Sequence, residues 1–128
     1  MKVIHTGAAP SHTGPVPQAV EVDGWIYVSA LFGTDPETGF RPEDPRAEAE
    51  RLFANLDAIL TAAGARREDV VRAGIFARHL RRDRPVFNEV WTEYFGPHRP
   101  ARSAVEVSDF GRPGEDTRYM IDLVVHRG

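Results

Sequence analysis

The chain has 128 residues, 41% hydrophobic and 27% charged, which suits a single domain over 1–128 with a packed interior and excludes a disordered polyelectrolyte. Sixteen Lys and Arg against nineteen Asp and Glu leave a formal charge of −3, so neither nucleic acid nor a membrane is expected as a partner. The absence of cysteine removes disulfides, thiolate nucleophiles and cysteine-ligated metals, and no signal core or membrane-length apolar run is present, so the expected location is cytoplasmic.

In chain order, Gln18 to Val22 and Trp25 to Ser29 alternate as short strands around Asp23-Gly24, a pair suited to the positive φ of a two-residue hairpin turn. Gly33 to Gly39 reads as a loop. Asp44-Pro45 then offers an N-cap followed by proline at the first helical position. From there Ala49, Leu52, Phe53, Leu56, Ile59, Leu60 and Ala63 recur at helical spacing, and Gly64 supplies a stop. Val71, Ala73, Ile75 and Ala77 alternate with Val70, Arg72, Gly74, Phe76 and Arg78, the period of a strand. Asp83 before Arg84-Pro85 repeats the cap-and-proline signal, and Val86 to Phe95 form a second amphipathic helix ended by Gly96-Pro97.

Ala101 to Val107 and Arg118 to His126 are the last strands, joined by a polar connection that contains Gly111-Arg112-Pro113-Gly114-Glu115-Asp116. In the final strand Tyr119, Ile121, Leu123 and Val125 share one face, while Met120, Asp122, Val124 and His126 share the other. Two helices cover only one side of a sheet of about five or six strands, and the apolar residues on the far side therefore predict a homo-oligomer.

Arg102 begins a strand whose same-face neighbours, Ala104 and Glu106, leave room beside the guanidinium. Its planar fork of donors suits a carboxylate, although a surface arginine paired with Glu106 or with solvent fits the same residues. The segment Pro100-Ala101-Arg102-Ser103-Ala104-Val105-Glu106-Val107 resembles the signature of the reactive-intermediate deaminase (Rid, or YjgF) family. Gly14 to Val20, Tyr27-Val28-Ser29, Pro36 to Gly39, Asn55-Leu56, Ala62-Ala63-Gly64, Asp69-Val70-Val71 and Phe87-Asn88 before Tyr94-Phe95 extend that resemblance, in order, along nearly the whole chain.

The resemblance implies an α+β, chorismate mutase-like fold, a mixed sheet backed by two helices on one face, assembled as a homotrimer with a ligand pocket at each subunit interface. It implies hydrolysis of enamines and imines such as 2-aminoacrylate to 2-oxo acids and ammonia, with no metal or cofactor. Carried over by residue, Arg102 clamps the substrate carboxylate, Ser29, Ala30 and Leu31 line the pocket, and Asn88 contributes from the adjoining wall. Ser29 as a hydroxyl satisfied at a strand end, and Asn88 as a local backbone partner in a helix's first turn, are the alternatives.

Three positions depart from the family pattern. Val16, expected to line the substrate pocket, stands where a tyrosine usually follows Gly-Pro, Ala104 replaces a cysteine, and Met120 occupies the place of the water-orienting glutamate. Asp122 lies two residues on, about 7 Å along the same side, and either activates water or pairs with Arg118 or with an arginine of a neighbouring subunit. His5, His12, His79, His98 and His126 show no zinc-binding spacing, and His12, just before the Gly14-Pro15 loop, is the histidine placed to supply acid–base chemistry. Trp25 and Trp91 read as core or interface packing. The expected function is hydrolysis of a small carboxylate-bearing imine. The alternatives on the same fold are a biosynthetic enzyme of tautomerisation, dehydration or cyclisation, and a non-catalytic carboxylate binder.

Overall fold

Asp23 and Gly24 both take positive φ, 51° and 84°, and so turn β2 (Ala19–Val22) directly into β3 (Trp25–Phe32). This hairpin is seen in a computed structural model, which describes residues 1–12, 14–112 and 116–128. Pro113, Gly114 and Glu115 of the predicted polar connection lie outside the described residues.

Asp44 caps the first helix as its sequence predicts. Its carboxylate accepts a hydrogen bond from the Ala47 backbone N–H at 3.0 Å, Pro45 opens α1 (Pro45–Ala62), and Gly64 follows at φ 70°. The second helix departs from expectation. Asp83 is not its cap, because α2 runs from Leu80 to Phe95 and the Asp83 N–H already bonds the His79 carbonyl at 2.9 Å. Starting a turn early buries Leu80 in the core, while Pro85 only forgoes the bond its missing N–H would have given the Arg81 carbonyl.

β4 (Val70–Ala77), β5 (Ala101–Glu106) and β6 (Tyr119–His126) join β1 (Lys2–Ile4) and the hairpin in one six-stranded sheet of order β1-β2-β3-β6-β4-β5. Only β4 and β5 run parallel, connected through α2, and the other pairings are antiparallel. β1 escapes sequence reading because three residues are too few to show a period. Both helices lie on one face, where Ile26, Val28, Ala73, Ile75, Tyr119, Ile121, Leu123 and Val125 meet Leu52, Phe53, Leu56, Ile59, Phe87 and Trp91.

The opposite face has no covering layer among the described residues and carries an apolar patch. Val3, Trp25, Tyr27 and Val105 are 60%, 40%, 48% and 47% exposed there. Trp25 packs against His126 with ring centroids 4.4 Å apart and planes tilted by 43°, so the two side chains share this surface. Such a patch is more than a monomer ordinarily leaves to water.

Two buried carboxylates fasten the two ends of β6. Glu48 of α1 accepts the Arg118 backbone N–H at 2.7 Å and its guanidinium at 2.8 Å, fixing the entry to β6, while Glu21 of β2 pairs with Arg127 beyond the end of β6. The pairing of Arg118 with Glu48 also removes it as the partner expected for Asp122. Because the Arg118 side chain is only 14% exposed, Glu48→Ala strands a charge in the interior. The expected loss is about 3–5 kcal/mol in urea unfolding, with Glu48→Gln losing less because it retains an acceptor for the backbone N–H.

Candidate active site

Arg102 lies on the edge strand β5, and its Cα pairs with that of Ala73, a buried residue of the helix-covered face. Its guanidinium therefore rises toward α2, where the Trp91 ring sits beneath it, 4.8 Å from carbon to centroid. Asn88, one turn earlier on α2, accepts a hydrogen bond from Arg102 Nη2 at 2.6 Å. Glu106 is not its partner, since that carboxylate accepts the Arg81 backbone N–H instead. Nη1 of Arg102 is buried and makes no hydrogen bond among the described residues.

This guanidinium is electrostatically under-served. Burial first, and then the nearby positive charge of Arg84, pull its pKa below the ordinary arginine value. It stays protonated at any physiological pH, so the strain is relieved by an anion, and the planar fork with one arm held by Asn88 presents the other arm to a carboxylate. Ala104, on the same side, keeps the neighbouring space small-walled.

The remaining predicted residues gather elsewhere. A bulge between Val28 and Leu31 interrupts the pairing of β3 with β6 and turns the Ser29-Ala30 backbone out of register. Beside it opens a cavity of about 380 Å³ whose walls include Pro10, His12, Ala30, Leu31, Phe32 and Arg112. Gln18 braces one wall, donating from Nε2 to the carbonyls of Thr6, Ala9 and Pro10 at 3.0 to 3.1 Å while its Oε1 accepts the Thr6 N–H. Asn55 of α1 braces another, donating to the Phe32 carbonyl at 2.8 Å and the Thr34 carbonyl at 2.9 Å. Neither brace announces itself in the sequence, since a buried amide serving backbone has no period and no spacing rule. Val16, expected in the pocket, sits on the exposed 14–16 segment outside the cavity's walls.

Ser29 and Arg102 are separated by the width of β6 and β4, three inter-strand steps or roughly 14 Å, too far to grip one small molecule. Met120 and Asp122 share the open face, opposite the face that carries Arg102. The Asp122 carboxylate lies over Gly74, where an added Cβ would come within 2.6 Å of its Oδ1. Within one protomer, then, the sequence-predicted residues form two half-sites: Arg102 with Asn88, and the β3 bulge with its cavity. No cluster of three metal-ligating side chains occurs among the described residues.

Comparison with known proteins decides the lineage. Residues 6–116 match the family model described as Endoribonuclease L-PSP. A RutC family protein of Pyrococcus abyssi is 43% identical over 108 residues, 84% of each chain. This chain belongs to the Rid/YjgF family. A 2-iminobutanoate/2-iminopropanoate deaminase of Dermatophagoides farinae is 38% identical over 125 residues, 97% of this chain and 94% of that protein. Among solved structures, Escherichia coli TdcF with bound serine superposes with a TM-score of 0.91 at 30% identity, covering all of both chains. The two-helix, mixed-sheet α+β architecture is the Rid fold.

The braces make a separate prediction about the site. Asn55→Ala leaves the Phe32 and Thr34 carbonyls without their donor, and the expected cost is about 1–3 kcal/mol in chemical denaturation. Hydrogen exchange in the segment after β3 should rise in the variant while β4 stays protected.

Proposed function

We propose that this protein hydrolyses small imines and enamines that carry a carboxylate, of the 2-aminoacrylate and 2-iminopropanoate class, to 2-oxo acids and ammonia, in a cleft that two subunits build together. The observation that carries the reading is the buried Arg102 Nη1, which has no acceptor among the described residues, beside a guanidinium already oriented by Asn88 and Trp91. The relatives named 2-iminobutanoate/2-iminopropanoate deaminase support the reaction, and the serine held by TdcF supports a ligand of amino-acid size.

The chemistry asks for three things. The substrate carboxylate is held by Arg102, which fixes the adjacent C=N bond in place. The imine nitrogen stays protonated, so its carbon is electrophilic. Water adds to that carbon, the resulting carbinolamine loses ammonia, and the carbonyl of the 2-oxo acid remains. Ser29, Ala30 and Leu31 form the wall that confines the reacting end, and Asn88 keeps the clamp from rotating away.

The two half-sites lie on different surfaces of the chain, so a contact that joins them is heterologous, and a heterologous contact makes a finite assembly only when its rotation closes a ring. We assign the ring three members, as the family resemblance implies, with the apolar open faces turned toward one another. In that arrangement Asp122 has no part at its own protomer's Arg102 and reaches only a neighbouring copy. Met120 in place of a carboxylate and Val16 in place of a phenol favour one competing reading, a carboxylate binder without turnover.

Two measurements test these statements. With 2-aminoacrylate generated in situ, pure protein should accelerate formation of the 2-oxo acid over buffer, and Arg102→Ala should lower kcat/KM by about 10- to 100-fold, the worth of a charge-assisted hydrogen bond. Binding of 2-oxobutanoate by calorimetry without any acceleration would support the binder instead. Light scattering should give a mass three times the 14.3 kDa of the chain, and Tyr27→Lys, which puts a charge into the open face, should shift it toward monomer.

A further inference from the structure

We infer that His12 is the acid–base residue of this site, taking a proton from the attacking water and returning it to the departing nitrogen. The inference rests on the imine-hydrolase reading above and supplies the group that Met120 cannot. A thioether neither accepts nor donates a proton, and a serine hydroxyl without a base beside it is a poor substitute.

The geometry singles the histidine out. His12 lines the 380 Å³ cavity together with Ala30, Leu31 and Phe32, and Phe32 is the cross-strand partner of Met120. The imidazole therefore enters from the N-terminal loop against the segment whose neighbour has lost its carboxylate. Gln18 ties down the carbonyls of Ala9 and Pro10 just before it, which holds that loop to the β3 bulge.

The other charged groups on the cavity wall are engaged. Asp35 accepts the backbone N–H groups of Glu37 and Thr38, Asp116 pairs with Arg41 at 3.4 Å, and the Arg112 guanidinium lies over the Phe32 ring at 4.9 Å. His12 and Ala30 line the same cavity, and the interaction of the ring with the Ala30 backbone holds the imidazole beside the bulge. Burial, and then the positive charge of Arg112, lower the His12 pKa from its ordinary 6.5, while the Ala30 carbonyl opposes them in part. The ring is thus neutral and basic at neutral pH.

The protons balance. 2-Aminoacrylate first takes a proton from solvent at its methylene carbon and becomes the iminium; as the water oxygen then bonds to the iminium carbon, one water proton passes to the His12 nitrogen and the C=N pair returns to nitrogen, giving a neutral carbinolamine. The imidazolium then protonates that nitrogen and the C–N bond breaks. The hydroxyl proton goes to the released ammonia, which leaves as ammonium, and the histidine is restored.

The sign of the pH effect follows. The base form is active, so kcat/KM should fall as pH drops through the His12 pKa, and because that pKa is lowered the limb should lie below 6.5 and the rate should be level at neutral pH. With 2-aminoacrylate as substrate, His12→Gln, which retains a donor for Ala30, should lower kcat by about 100-fold, abolish the acid limb and leave KM little changed. In His12→Gly, added imidazole should restore part of the rate. Arg102→Ala should instead raise KM and keep the limb. His12→Gln with wild-type kcat and an unchanged limb would overturn the inference while leaving the hydrolase reading intact, and wild-type protein inert toward the substrate would defeat that reading itself. Should His12→Gln misfold, the wild-type profile still decides, because a kcat/KM that shows no acid limb below pH 6.5 at any pH where the protein stays folded contradicts a histidine base.

Discussion

Successive side chains of a β-strand point to opposite faces, and here only one face is covered by helices. Arg102, level with buried Ala73, is committed to the helix side, while Met120 and Asp122, level with Phe76 and Gly74, are committed to the open side. A one-residue slip in register would reverse both assignments and expel the hydrophobic core, so the arrangement is locked by packing. The separation of Arg102 from the β3 bulge follows from this constraint and from the two strands between them. A small substrate cannot touch both within one copy of the chain.

Each half-site is held by the fold's ordinary interior. Trp91, which supports the Arg102 guanidinium, belongs to the same aromatic cluster as Phe53, Phe87 and Phe95. The cavity at the other half-site is shaped by two buried amides that spend their hydrogen bonds on loop carbonyls, and Glu48 fixes the entry to β6 on which Met120 stands. The two sides differ in kind: a rigid cationic clamp borne by a strand and a helix, and a recess formed by loops around a bulge. Such a division suits a reaction that needs one group held firmly and the other enclosed.

Much of this was legible in the sequence, for reasons that vary by element. The Asp23-Gly24 turn and the Asp44-Pro45 start are dictated by local backbone chemistry, and both appear as read. The Asp83-Arg84-Pro85 signal misled because burial of Leu80 outweighed a good cap. Arg102 and Asn88 were identified by resemblance, and the structure brings them into contact at 2.6 Å. The placement of Arg102 and Asp122 on opposite faces depends on how β5 pairs with β4 and β4 with β6, which period-two reading of single strands does not specify. Trp91 read as packing, and its second role beneath a cation depends on the same pairing. Gln18 and Asn55 were noticed only as parts of motifs, since a side chain that serves distant backbone leaves no local pattern.

The central claim is that one catalytic site takes its clamp from one subunit and its enclosing wall from the next, and complementation tests it most directly. Arg102→Ala removes the clamp, and Ala30→Trp, which fills the recess beside the bulge, removes the wall, so each pure oligomer should keep only a small fraction of the wild-type kcat/KM. Co-refolded mixtures should regain activity, because some interfaces then unite an intact clamp with an intact wall. Mixtures that form hybrid oligomers yet stay as inactive as their parents would show that the site is confined to one chain, and would contradict the account.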